Sequence, residues 1–149
     1  MSEILILGII VSIVFYELTD ISPGGIIVPG LMVVYITQPI RIIYTLVVAV
    51  LAHLLVELLS KKIIIFGKRR FVLHIVASFV LHLVINLILG LFVKDFTVVA
   101  LSLVGYTVSG IIANNIHKQG AVKTVASTVI VTAFLELVIL LLSLFGVVL

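Results

Sequence analysis

Long apolar runs interrupted by a few charges and helix breakers set the pattern of this chain. Cutting at those interruptions yields six segments: residues 4–16, 25–37, 42–59, 71–93, 96–116 and 124–149. Within the longer ones the polar residues recur at every fourth position, which is the period of a helix and not of a strand. Thr45, Ala49, His53 and Glu57 share one face of the third segment; His74, Ser78, His82 and Asn86 share one face of the fourth; Thr124, Thr128, Thr132 and Glu136 share one face of the sixth. These stripes are expected to turn towards one another or towards a water-filled cavity, leaving Val, Leu and Ile to the outside. At about 1.5 Å per residue the first two segments reach only about 20 Å, while the other four can cross a hydrocarbon layer of roughly 30 Å. The first pair either crosses with Glu17, Leu18 and Gln38 drawn in, or forms a re-entrant hairpin closed by residues 19–24. In both cases residues 1 and 40 lie on one side.

Composition makes the setting explicit. Of 149 residues, 64% are apolar and 10% charged, against about 25% charged in a soluble domain. The chain is expected to be an integral membrane protein of one domain, residues 1–149, in the plasma membrane. Cys is absent, which excludes disulfides and thiol chemistry. Met1-Ser2-Glu3 lacks a positive leader, so the first segment is expected to stay in the mature protein. The net charge of +3 reports orientation, not a nucleic-acid partner. The loop at residues 60–70 holds Lys61, Lys62, Lys68, Arg69 and Arg70, and this densest positive cluster belongs in the cytoplasm. By counting, both termini, Arg41 and Lys94-Asp95 then lie outside, and His117, Lys118 and Lys123 lie inside.

The chain also resembles itself. Gly25-Ile26-Ile27-Val28-Pro29-Gly30-Leu31 is matched by Gly105-Tyr106-Thr107-Val108-Ser109-Gly110-Ile111, Ile6-Leu7-Gly8 by Ile88-Leu89-Gly90, and Gln38-Pro39 by Gln119-Gly120. Carried on, the register pairs Thr45 with Thr124, Ala49 with Thr128, His53 with Thr132 and Glu57 with Glu136. The fold class is therefore an all-α membrane protein of two repeats, residues 4–60 and 71–149, with short or broken helices at segments one, two and five. Three crossings per repeat force the halves into opposite senses, the plan of inverted-repeat transporters.

Polar groups inside a bilayer are costly, so each invites a role. Glu57 and Glu136 occupy matching positions and either carry protons or pack as anchors; His53, one turn before Glu57, suits a proton relay. His74, His82 and Asn86 are expected to serve hydrogen bonding between helices. No metal site is expected, because the four histidines look dispersed and His74 and His82 stand about 12 Å apart along one helix. Glu17, Asp20, Pro29, Gly30 and Gln38 in the first half, with Ser109, Gly110, Asn114 and Gln119 in the second, form the candidate substrate path. Interrupted helices present amino ends that suit an anionic ligand, although glycines there equally allow close helix packing. Pro29 is expected to kink or unwind its segment.

Glu17-Leu18-Thr19, residues 23–30, Gln38-Pro39, residues 110–114 and Gln119-Gly120 together resemble the PgsC/CapC family. Asp20 and Ser109 depart from its pattern, which has Gly at the first and Pro-Gly repeated at the second. The resemblance implies a membrane subunit of poly-γ-glutamate synthesis and capsule machinery. It implies partnership with a cytoplasmic ATP-dependent ligase and a surface-exposed accessory subunit, and contact with an anionic polymer. The chain itself has no phosphate-binding loop and no nucleophile beside a base, so it is expected to be non-catalytic alone and to need no cofactor. Lys61, Lys62, Lys68, Arg69 and Arg70 then dock the ligase, the polyanion or lipid headgroups. The short segments are expected to be covered by partners or by copies of the chain. The alternative function is a small proton- or ion-coupled transporter of an anionic substrate; a third is a plain scaffold.

Overall fold

A computed structural model describes residues 2–61, 67–92 and 103–146. Lys62, Lys94 and Asp95 lie outside the described residues. Among the described residues six helices follow in order: α1 (Ser2–Thr19), α2 (Val28–Val34), α3 (Pro39–Ser60), α4 (Lys68–Phe92), α5 (Leu103–Gln119) and α6 (Ala121–Leu144). No strand occurs among the described residues. Among the described residues three stretches, Pro39–Ser60, Lys68–Ile88 and Ala121–Leu144, are long and apolar enough to cross a membrane, and only 22% of an 18-residue apolar portion of each is buried within the molecule. The remaining apolar faces require lipid or protein to cover them, which makes this a membrane protein.

The first helix is longer than its apolar run. Nothing breaks it at Glu17 or Leu18, and it continues for 18 residues, about 27 Å. It stops at Asp20, whose φ of 56° is left-handed and whose amide bonds the Tyr16 carbonyl at 2.8 Å. That conformation is the usual helix end, and it is usually glycine; the Gly expected here by resemblance thus has a backbone reason. Pro29 does not kink a helix. It occupies the first turn of α2, where a missing amide hydrogen costs nothing, and the unwound stretch lies before it, at residues 20–27. With 7 residues, α2 rises only about 10 Å and cannot span a bilayer.

Of the fifth segment the described part is Leu103–Gln119. Over its 17 residues α5 runs without interruption through Gly105, Ser109 and Gly110, because the small residues serve packing. A methyl group on Gly110 would lie 2.7 Å from the Cα of Ile75 on α4. Ser109 satisfies its hydroxyl within its own helix, on the Gly105 carbonyl at 3.0 Å. Where α1 meets α2 the glycine that packing requires is Gly8: a methyl group there would sit 2.5 Å from the Cα of Gly30, whereas one on Gly30 would meet only ordinary contacts at 3.4 and 3.5 Å.

Helix partners cross over. α3 packs on α4 and α5, which also pack on each other; α6 packs on α1 and α2, which again pack on each other; α5 joins the two groups through α6. The central core combines Val28 and Met32 of α2, Ala49 of α3, and Val108, Ile112 and Ile116 of α5. Of the three polar stripes, those of α3 and α4 meet beside α5, with His74 and His82 each 1% exposed. The α6 stripe does not join them. Its Thr128 faces Gly24 of the loop instead, and the buried Thr124, Thr128 and Thr132 direct their hydroxyls to the carbonyls of Gly120, Thr124 and Thr128 at 2.9, 2.7 and 2.7 Å.

Candidate functional site

An unwound segment packed among helices must find hydrogen bonds from its neighbours, and the loop at residues 20–27 finds them on α5 and α6. The Ser22 amide donates to Gln119 Oε1 at 2.9 Å, and Gln119 Nε2 donates to the Ser22 carbonyl at 2.5 Å. Asn115 Nδ2 donates to the Gly24 carbonyl at 2.9 Å, and the Ser127 hydroxyl donates to the Ser22 carbonyl at 3.2 Å. Gly24 and Gly25 permit this approach through φ values of 73° and 128°, and a side chain on either would strike Thr128 or Ile111. Beside the clamp opens a cleft of about 500 Å³, lined by Asp20, Ser22, Pro23, Asn115, Lys118 and Gln119, with Tyr16 and Ile26 at its apolar edge. An acid and a base, Asp20 and Lys118, thus share one polar opening.

Of the candidate path residues, Asp20 and Gln119 line this cleft. Asn114 is buried one position away, and the loop contact belongs to Asn115. Pro29 and Gly30 are buried, Ser109 and Gly110 pack α5, and Glu17 and Gln38 are exposed without lining the cleft. Half-buried Glu136 stands on α6 and exposed Glu57 on α3. His82 stands between two tyrosine rings, edge-on to Tyr44 at 5.2 Å and to Tyr106 at 4.6 Å, and its Nδ1 bonds the Ser78 carbonyl at 2.7 Å. Asn86 is half-buried one turn further on.

The histidines are not dispersed. His53 of α3, His74 of α4 and His117 of α5 form a triangle with ring centroids 6.1, 5.9 and 6.1 Å apart. His74 donates from Nδ1 to the Arg70 carbonyl at 2.8 Å, which leaves its Nε2 as the free nitrogen. That nitrogen is buried and without a partner, as are Nδ1 of His53 and Nε of Arg70. His53 Nε2 lies 3.5 Å from Glu57 Oε2, on a carboxylate whose side chain is 56% exposed. The Arg70 guanidinium donates through Nη1 to His117 Nε2. Arg70 therefore turns inward, while Lys61, Lys68 and Arg69 stay exposed. Reading each helix by itself hid this cluster. The available signal was depth: residues 53, 74 and 117 each lie within about two turns of a segment end that charge counting had put on one side.

Three comparisons bear on the chain as a whole. The sequence profile of the capsule biosynthesis CapC family matches residues 7–125. The PGA biosynthesis protein CapC of Bacillus subtilis (strain 168) is 34% identical over 128 residues, 86% of this chain and 85% of that protein. The capsule biosynthesis protein CapC of Bacillus anthracis is 28% identical over the same shares of the two chains. No solved structure matches.

Proposed function

Because the chain belongs to the capsule biosynthesis CapC family, we propose that it is a multi-pass plasma-membrane subunit of a poly-γ-glutamate synthesis and export complex. In this reading it holds a cytoplasmic ATP-dependent amide ligase at the membrane, meets a surface-exposed accessory subunit on the other side, and contributes to the polymer's path.

One observation carries the reading. The Ser22–Gln119 and Arg70–His117 contacts gather the loop after α1, the start of α4 and the end of α5 on one face. That face holds the exposed cations Lys68, Arg69 and Lys118, the polar cleft, and the histidine cluster. The positive-inside rule assigns such a face to the cytoplasm, where a ligase works and where a growing polyanion is attracted by the summed field.

The packing supports a duplicated, inverted plan. Exchange α1 with α4, α2 with α5 and α3 with α6: the α1–α2 contact becomes α4–α5, α2–α6 becomes α5–α3, and α1–α6 becomes α4–α3. Each of these contacts is present. The matched glycines Gly30 and Gly110 each seat the middle helix of a half on the first, against Gly8 and Ile75. This symmetry also favours the second reading, a proton- or ion-coupled transporter of an anionic substrate.

The test is genetic and biochemical. Deletion of the gene in its host is expected to abolish surface poly-γ-glutamate and to release the ligase from the membrane fraction. Replacing Lys61, Lys68 and Arg69 together by Gln is expected to weaken ligase retention. Under the subunit reading Glu136→Gln leaves polymer output intact; abolished output with an assembled complex would favour the transporter. Unchanged polymer after deletion would refute both.

A further inference from the structure

Buried polar atoms in a folded protein nearly always have partners, so three orphans in one place call for a ligand. His53 Nδ1, His74 Nε2 and Arg70 Nε are all buried and unpartnered, and the residues that carry them converge with His117 where α3, α4 and α5 meet. His74 itself is 1% exposed, whereas His117 and Glu57 are exposed. The cluster is therefore closed at one side and open at the other. It contains one permanent cation, Arg70, and its one acid, Glu57, already engages the opposite nitrogen of His53.

Among the orphans it is the guanidinium nitrogen that indicates the sign of the ligand. The Arg70 Nε–H donates only, so its missing partner is an acceptor. A guanidinium beside the open ring nitrogens opposes a metal cation there. Among the described residues no group of three or more His, Asp or Glu side chains is arranged to hold a metal ion. A planar acceptor with two oxygens meets a guanidinium and a neighbouring imidazole at once.

We propose that Arg70, His53, His74 and His117 form a carboxylate-binding site, and, resting on the function proposed above, that its occupant is a carboxylate of the γ-linked glutamyl chain at the cytoplasmic face. The protons balance simply. With Nδ1 of neutral His74 donating to the Arg70 carbonyl, Nε2 carries a lone pair and repels a carboxylate oxygen. Binding therefore takes up a proton from solvent onto an imidazole, which then donates N–H to the ligand. The charged and titratable groups facing His74 are Arg70 on its own helix, His53 from α3 and His117 from α5, with Glu57 of α3 beside His53. Affinity is expected to fall as pH rises, because the proton becomes harder to supply.

The experiment uses the full chain in nanodiscs of zwitterionic phosphatidylcholine, titrated by calorimetry with a γ-glutamyl oligomer, inorganic phosphate and zinc ion in turn. The expected result is saturable oligomer binding with uptake of about one proton, read from buffers of differing ionisation heat. Arg70→Gln and His74→Gln are expected to weaken it at least tenfold. Lys123→Gln removes the same charge from an exposed site and is expected to change it less than twofold. Where Arg70→Gln does not fold, Arg70→Lys keeps the charge but loses the fork and is expected to weaken binding severalfold. Equal losses in Arg70→Gln and Lys123→Gln would reduce the effect to bulk charge and overturn the proposal. So would phosphate binding as tightly as the oligomer, saturable zinc binding without oligomer binding, or no saturable binding. A host that keeps its polymer after gene deletion while the purified chain still binds oligomer would sink the proposed function and spare the site. Loss of polymer on deletion, with no oligomer binding by the chain, would do the reverse.

Discussion

Adding one methyl group to Gly8 and one to Gly30 separates a packing role from a substrate path. On Gly8 the new carbon would lie 2.5 Å from the Cα of Gly30, 2.9 Å from its backbone nitrogen and 3.2 Å from Leu135. Carbon atoms pack at about 3.5–4.0 Å, so α1 and α2 must separate by roughly 1 Å. Backbone cannot rotate away as a side chain does. Overpacking costs about 1–3 kcal/mol, with backbone against backbone at the upper end, and the better helix propensity of Ala over Gly returns about 1 kcal/mol; the net loss for Gly8→Ala is about 2 kcal/mol. On Gly30 the added carbon meets Leu5 and Gly8 at 3.4 and 3.5 Å, which is ordinary contact. Gly30→Ala is therefore expected to be neutral or stabilising by up to about 1 kcal/mol. The chain has no Trp, so unfolding is followed by circular dichroism at 222 nm in detergent micelles, with polymer output measured in parallel. Gly8→Ala matching the parent in stability would refute the packing argument. A stable Gly30→Ala chain that fails to support polymer would return Gly30 to the substrate path.

Three further outcomes follow from single contacts. Asp20→Gly relieves a left-handed φ of 56° and is expected to stabilise by about 0.5–1 kcal/mol in the same unfolding assay; a loss would show that the Asp20 carboxylate has an anchoring role in the cleft. Gln119→Ala removes the bonds to Ser22 and to the Thr124 hydroxyl and is expected to cost about 2–3 kcal/mol, with increased amide hydrogen exchange confined at first to residues 20–27. Lys123→Cys, in a chain without native Cys, is expected to resist an impermeant maleimide in intact cells and to react after permeabilisation; labelling from outside would invert the topology and remove the cytoplasmic site.

Much of the molecule was legible in one dimension. Apolar run length and a period near four are local properties, so α3, α4 and α6 and their buried faces could be read directly from residues such as Thr45, His74 and Thr128. Charge excess is a sum over loops, and it put Arg70 and His117 on one side, where a contact joins them. The residues at 17–30 and 110–120 were enough to indicate the family. Tertiary structure alone decided how those faces are used. Residue identity says that Gly30 leaves space but not what fills it, and here a neighbouring backbone does. Spacing along a helix predicts neighbours on that helix and is silent on three histidines brought together from three helices. A positive loop does not reveal which of its cations turns inward, as Arg70 does. Sequence determines which groups a bilayer must hide, since that cost is paid residue by residue; which groups are hidden against each other depends on helix crossing and depth, which arise only when the helices pack.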